Sequence, residues 1–177
     1  GQMVREIDAM GGLMGRVADA TGIQFRMLNA SKGPAVRGPR CQSDKYRYAR
    51  EVQRLLASRT NVDVFAGTIN DILVQRGRVV AVSTTEHRKH RSLITSSVVL
   101  TTGTFMRGLM HSGAQKRPGG RIGEQAATGI SRALCRLGFE LGRLKTGTPP
   151  RLAAETIDYA GLERQDGDCQ YVSSIGY

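Results

Sequence analysis

The sequence predicts an α/β fold, and three observations predict it. Apolar residues recur at helical spacing in two stretches, Val4, Ile7, Met10, Met14 and Val17, and Tyr48, Val52, Leu55 and Leu56. Between Val62 and Leu100 the period shortens, and "VDVFAG", "INDILVQ", "RVVAVSTT" and "SSVVLTTG" read as short β-rich runs. The last of these continues as "SSVVLTTGTF", an almost unbroken apolar run that stops at Thr-Thr-Gly-Thr. A strand buried on both faces of a mainly parallel sheet has that pattern.

Taken in order, roughly the first twenty residues form an amphipathic helix, weakened in the middle by Gly11-Gly12 at about 1 kcal/mol per glycine. "GGLMG" is not a dinucleotide fingerprint, because no strand precedes it. Ile23 to Leu28 is a short strand, followed by the cationic loop "NASKGPAVRGPR" with Pro34 and Pro39. Asp44 caps the next helix. Gln75-Arg76-Gly77 turns the chain between two strands, and "EHRKHRS" is a polar hairpin tip or loop. Gly119-Gly120 leads into a helix starting near Gly123, with Ile130, Leu134 and Leu137 as its buried stripe and Gly138 as its stop. "GRLKTGTPPRL" reads as a rigid crossing between domains that also faces a ligand, since Pro149-Pro150 continues neither a helix nor a central strand.

The bulk numbers narrow the function classes. A chain of 177 residues is one domain, or one domain with part of a second, and its 40% hydrophobic content is too high for a disordered segment. No window approaches the ~18 apolar residues of a membrane span, and no apolar signal-peptide core begins the chain. The opening GQMVRE is unusual for a native start and reads as that of a fragment. Twenty-six Lys and Arg against 15 Asp and Glu leave a net charge of +11, which favours a polyanionic partner such as nucleic acid. Cys41, Cys135 and Cys169 form no CxxC pair, so neither a zinc site nor a disulfide framework is indicated. An odd count suits a reducing compartment. The histidines are His87, His90 and His111; the first two sit in the polar tip as solvated groups, and His111 reads as a surface group, with a supporting place behind the ligand site as the alternative.

Two candidate ligand-binding regions stand out from the residues alone. Thr101, Thr102, Gly103 and Thr104 sit at the carboxyl end of the apolar run, where α/β sheets bind ligands. Glycine there permits close backbone approach and the threonines offer hydroxyls; a tight strand-exit turn is the plain alternative. Gly119-Gly120 followed by a helix, with Arg121 beside it, is an anion-binding arrangement.

"VREIDAMGGLMG", "QFRMLNASKGPAVRGPR", "VVLTTGTFMRGL", "GGRIGE" and "LGRLKTGTPPRL…TIDY" follow one another in this order. Together they resemble consecutive blocks of the MnmG/GidA family, over nearly the whole chain. The resemblance implies an FAD/NAD(P)-binding Rossmann-like fold with a β-meander, residues 1-150 being part of the FAD-binding domain and 151-177 the start of an inserted NADH-binding domain. It implies FAD-dependent tRNA modification that builds the 5-carboxymethylaminomethyl, aminomethyl or taurinomethyl group on wobble uridine. NADH and methylene-tetrahydrofolate are the implied co-reactants. The implied partners are tRNA, an MnmE-type GTPase and a second copy in a homodimer, with no membrane. The implied location is the cytoplasm, with the mitochondrial matrix as alternative.

The same resemblance assigns residues. Ile69 matches the position whose backbone meets the adenine. Thr102, Gly103 and Thr104 are expected near the ribityl-pyrophosphate, and Arg121, Gly123 and Glu124 match a GGRxGD/E motif, with Ala127 where members often carry Ser. Lys145, Thr146, Gly147, Thr148 and Pro149 are expected to border the isoalloxazine. Lys32, Arg37 and Arg40 would neutralise phosphates of tRNA or a cofactor, while Asn29 and Ser31 could hydrogen-bond the flavin ring or the uracil; Asn29, Ser31 and Gly33 are equally ordinary turn formers. The family's GGGHAG loop and one catalytic cysteine are expected ahead of Gly1, and its second functional cysteine beyond Tyr177. Cys41 stands where members have a small residue, so no nucleophile is assigned. On this reading the chain is a fragment, inactive by itself. The competing readings are an RNA-binding relative without flavin and a small-molecule flavin oxidoreductase of the same fold.

Overall fold

The computed structural model describes residues 1–86, 89–147, 149–150 and 152–168. These form two units: Gly1–Asp63 together with the described residues from Pro150 on, and Val64–Pro149. The class is mixed α/β, as the sequence predicts. Among the described residues, however, the three sheets are all antiparallel.

In the first unit the predicted opening helix is two helices, α1 (Gln2–Ala9) and α2 (Leu13–Thr21). Gly11 takes φ +83°, and Gly11 N–H and Gly12 N–H donate to the carbonyls of Asp8 and Ile7. Those two bonds close a helix end with glycine in the left-handed region, so Gly11-Gly12 terminates a helix where it was expected only to weaken one. Strand β1 (Gly22–Leu28) pairs antiparallel with β2 (Gly38–Ser43). The cationic loop is therefore shorter than predicted: Pro39 and Arg40 lie on β2, and residues 29–37 connect the strands through two short 3-10 turns. Proline is tolerated there because β2 is an edge strand. Helix α3 (Lys45–Ala57) follows, capped as expected: the Asp44 carboxylate accepts from Tyr46 N–H at 2.9 Å and Arg47 N–H at 2.8 Å. Of its apolar stripe, Leu55 is buried.

The second unit is a meander of β3 (Thr68–Gln75), β4 (Arg78–Glu86) and β5 (Lys89–Ile94), covered by α4 (Gly129–Arg136). Arg76 and Gly77 connect β3 to β4 with φ values of 50° and 76°, the paired positive angles of a two-residue hairpin turn. The segment "EHRKHRS" contributes most of β5, beyond the loop expected of it; His87 and Arg88 lie outside the described residues. The register lines up Ile72, Val82 and Leu93 across the three strands. Ile72 and Val82 pack with Ile130, Ala133 and Leu134 of α4, all under 10% exposed, and Leu93 and Leu137 join from the edge. At about 1.5–3 kcal/mol per buried aliphatic side chain, this cluster is the dominant stabilising feature of the unit. Gly138 ends α4 at φ +89°, with Gly138 N–H and Phe139 N–H donating to Cys135 and Leu134 carbonyls.

Two predicted strands do not form. Val62 to Gly67 stays irregular, with Val64 and Phe65 exposed. "SSVVLTTGTF" is not a doubly buried parallel strand: Val99 is 86% exposed and only Val98 touches the core cluster. Pairing along β4 stops at Thr95 N–H to Val80 C=O, and past that point no described strand offers the segment a ladder. The helix expected from Gly123 begins at Gly129 instead, because residues 119–127 form turns.

Candidate functional site

The structure joins two groups of the predicted residues, both in the second unit. In the second unit the Thr-Gly-Thr turn and the glycine-rich turn are hydrogen-bonded to each other. Thr104 Oγ1 donates to the Gly120 carbonyl at 2.8 Å. Phe105 N–H donates to Thr102 C=O, and Gly103 between them takes φ +55°. The chain then runs beside residue 127: Ala127 N–H donates to Phe105 C=O and Arg107 N–H to Ala127 C=O, a two-bond parallel bridge. On the other side Gly119 N–H donates to Gly108 C=O, closing the base of the hairpin of β6 (Leu109–Ser112) and β7 (Gln115–Pro118). Close packing at the base admits no side chain, since a Cβ on Gly108 would sit 2.5 Å from the Thr104 carbonyl oxygen and 2.6 Å from that of Gly119.

The outer surface of the cluster is the opposite. A Cβ on Gly103 or Gly123 would meet nothing within 4 Å, so the backbone at both positions is open. Arg121 and Glu124 close the second turn, with Glu124 N–H donating to Arg121 C=O at 3.0 Å and Arg121 Nη1 3.2 Å from Glu124 Oε1. The pair is exposed, so water and salt screen it strongly and Arg121 can exchange Glu124 for an anionic ligand at small cost. Because α4 starts only at Gly129, Gly119-Gly120 is not a helix N-terminus. What this region could offer an anion is open backbone and the Arg121 guanidinium, and not a helix dipole.

Ile69 lies elsewhere in the unit, on β3 opposite Thr84. It lines a small cleft of about 50 Å³ with Phe65, Ala66, Gly67, Thr84, Glu86, Arg91 and Leu93. Lys145, Thr146, Gly147 and Pro149 lie on an exposed irregular segment and make no hydrogen bond to the Thr-Gly-Thr cluster among the described residues. The neighbouring Arg143 does reach it, donating to the Arg107 carbonyl at 3.2 Å. Thr148 falls outside the described residues.

In the first unit residues 29–37 are tied internally. Asn29, at φ 57°, donates through Nδ2 to Val36 C=O at 3.2 Å, and Arg37 Nε donates to Ala30 C=O at 2.9 Å. Gln2 on α1 holds Arg37 C=O at 3.1 Å. Asn29 and Arg37 therefore shape the loop with part of their donor capacity, while Ser31 and Lys32 point to solvent. Arg40 is set apart from them: it is half-buried on β2, directly opposite Arg26 of β1, and donates to Gln24 Oε1 at 3.0 Å. Arg26 was not singled out from the sequence. The alternation of Gln24, Arg26 and Leu28 with Phe25 and Met27 carried that information once β2 was known to be a strand. The segment before residue 169 joins the same sheet edge: Asp168 N–H donates to Phe25 C=O at 2.9 Å, and Met27 N–H donates to the Asp168 carboxylate at 2.6 Å.

Among the described residues there is no group of three His, Cys, Asp or Glu able to hold a metal, and no helix long and apolar enough to cross a membrane.

Comparison with known proteins identifies relatives along the whole chain. A family model described as "Glucose inhibited division protein A" matches residues 1–177. The tRNA uridine 5-carboxymethylaminomethyl modification enzyme MnmG of Chlamydia caviae is 49% identical over 168 residues, which is 95% of this chain and 27% of that protein. The enzyme of the same name from Flavobacterium johnsoniae is 46% identical over 170 residues, 96% of this chain and 27% of that protein. Among solved structures, Aquifex aeolicus GidA, in two crystal forms, superposes with a TM-score of 0.82 at 45% identity, covering 93% of this chain and 27% of that one. The chain thus spans 27% of the length of these relatives.

Proposed function

The chain belongs to the glucose inhibited division protein A family, and from that premise we propose that it supplies part of the flavin site and part of the tRNA-binding surface of a tRNA uridine-modifying enzyme. The observation that carries this reading is the bond from Thr104 Oγ1 to Gly120 C=O, which joins two motif segments into one open, cationic cradle. The cradle fits a dinucleotide: Gly103 and Gly123 leave room for phosphate oxygens against the backbone, Thr102 offers a hydroxyl, and Arg121 offers charge. Bound FAD would supply the electron transfer needed to join a one-carbon unit to uracil C5.

The rest of the reading builds on that site. Ile69 would contact the adenine from the small cleft on β3. Lys145, Thr146, Gly147, Thr148 and Pro149 would border the isoalloxazine, where a cation favours the anionic reduced ring. Lys32 and Arg37, on the exposed 29–37 loop, would meet tRNA phosphates, consistent with the net charge of +11. Residues 1-150 would belong to the FAD-binding domain and 151-177 to the start of the NADH-binding domain. The product is the 5-carboxymethylaminomethyl group, or its aminomethyl or taurinomethyl counterpart, on wobble uridine. NADH and methylene-tetrahydrofolate are consumed, with an MnmE-type GTPase as partner and a homodimer as the working state in the cytoplasm.

The test is flavin content of the full-length protein carrying Gly103→Val. A β-branched side chain at φ +55° is strained and fills the open face, so FAD bound per protein, read from visible absorbance, should fall at least tenfold. A variant that folds, by circular dichroism, and keeps its full flavin complement defeats the proposal.

A further inference from the structure

One face of the β1–β2 hairpin presents Gln24 and Arg26 from β1 beside Arg40 and Gln42 from β2, with Arg26 directly opposite Arg40. Side chains so opposed in an antiparallel pair have Cβ atoms about 5 Å apart, and like charges there are destabilising. Among the described residues neither guanidinium has a carboxylate in ion-pair range. Their partners are neutral amides: Arg26 Nη1 donates to Gln165 Oε1 at 2.7 Å, and Arg40 Nη2 to Gln24 Oε1 at 3.0 Å. Asp168, the carboxylate on this sheet edge, is engaged by Met27 N–H. The Nε of Arg40 is buried and has no hydrogen-bond partner.

We infer that Arg26 and Arg40 form a two-guanidinium clamp for a phosphate oxyanion, and that the phosphate is one of the tRNA backbone. An oxyanion between the two side chains turns their mutual repulsion into attraction to a shared ligand. Each planar fork keeps donors free after its single amide bond, and such forks match phosphate oxygens in pairs. Half-burial of both residues weakens solvent screening of that attraction. The tRNA assignment follows from position: the connection between the same two strands exposes Lys32 and Arg37, so the hairpin offers cations in series, as a chain of phosphodiesters requires. The owner of the phosphate rests on the tRNA reading above; the clamp does not.

The experiment compares full-length wild-type protein with Arg26→Gln and Arg26→Lys. The first readout is the thermal midpoint in chloride and in inorganic phosphate at matched ionic strength. In chloride, Arg26→Gln should unfold no lower than wild type, since a repulsion has been removed. Phosphate should raise the wild-type midpoint and leave that of Arg26→Gln unmoved. The second readout is tRNA affinity at two salt concentrations, with flavin content alongside. Arg26→Gln should lose about tenfold in affinity and about one from the log–log salt slope, with flavin content unchanged. Arg26→Lys should keep the slope and recover only part of the affinity, because it keeps the charge and loses the fork. A lowered midpoint in chloride with unchanged tRNA affinity would make Arg26 a structural residue and overturn the clamp. Unchanged tRNA affinity with reduced flavin content would give the phosphate to a dinucleotide and overturn the tRNA assignment. The phosphate-dependent midpoint involves neither flavin nor turnover, so it separates failure of the clamp from failure of the flavin reading.

Discussion

The β3–β4–β5 meander and the β1–β2 hairpin are both antiparallel and sequential, and they differ in what their faces carry. The meander lines up Ile72, Val82 and Leu93 under Ile130, Ala133 and Leu134, and its first two strands are joined by only two residues, Arg76 and Gly77. The hairpin lines up Arg26 with Arg40 and connects its strands through residues 29–37. One sheet is built around burial. The other holds like charges side by side and exposes a cationic loop. The lesson is that the meander's packed face is explained by burial, while the hairpin carries like charges opposed in register, which packing does not explain; on the proposed reading that difference in roles gives phosphate contact to the hairpin.

The sharpest way to break this contrast is to attack the meander's core. Ile130→Ala removes a side chain that is 3% exposed, and unfolding monitored by urea should register a loss of about 2–5 kcal/mol for the second unit. A loss no greater than that from a surface substitution would mean the cluster is not the stabilising centre. A smaller effect tests the polar side of the same packing. Arg136 on α4 donates to Asp71 on β3, and that guanidinium, aided by Ile72 N–H and opposed by burial, holds the Asp71 carboxyl below its ordinary value of 3.8. A lowered folded-state pKa stabilises above the unfolded value and is lost as pH falls through the folded one. This contribution should therefore be lost only below about pH 4, and Asp71→Asn should remove that part of the acid limb at a cost near neutrality of about 1 kcal/mol or less, since the pair is partly exposed. Denaturation across a pH series checks both points. The smallest stability effect belongs to the hairpin loop. Lys32→Ala should leave stability within about 0.5 kcal/mol of wild type, yet reduce the salt slope of tRNA binding by the full-length protein by about one. If Lys32→Ala instead destabilises the fold and leaves the slope intact, the segregation of roles is wrong.

Local signals in the sequence were legible where the chemistry is local. Asp44 accepts the backbone N–H groups of the helix it was expected to cap, and Gly138 stops α4 where a left-handed residue was needed. Arg76-Gly77 turns the meander, and the stripe Ile130, Leu134 and Leu137 faces the sheet. Each involves residues a few positions apart, whose geometry depends on backbone sterics and nearest hydrogen bonds. The family was likewise legible, because strings such as "SKGPAVRGPR" and "RLKTGTPPR" are long and unusual.

Pairing between distant segments was not legible in this way. "SSVVLTTGTF" has the composition of a buried strand, but a strand exists only beside a partner, and the ladder on β4 ends at Thr95. Gly119-Gly120 looked like the approach to a helix until Thr104 Oγ1 was found on the Gly120 carbonyl, sixteen residues away, and α4 was found to start at Gly129. Arg40 looked like one more cation of a loop until β2 set it opposite Arg26. By itself, then, the sequence determined the family, and also the Asp44 cap, the Gly138 stop, the tight turn and the apolar stripe of α4, which depend on residues close in the chain. Only the tertiary structure decided which backbone segments share hydrogen bonds, which glycines stay open, and which two arginines face each other. Those depend on strand register and loop closure, and a register is a property of two segments that neither encodes alone.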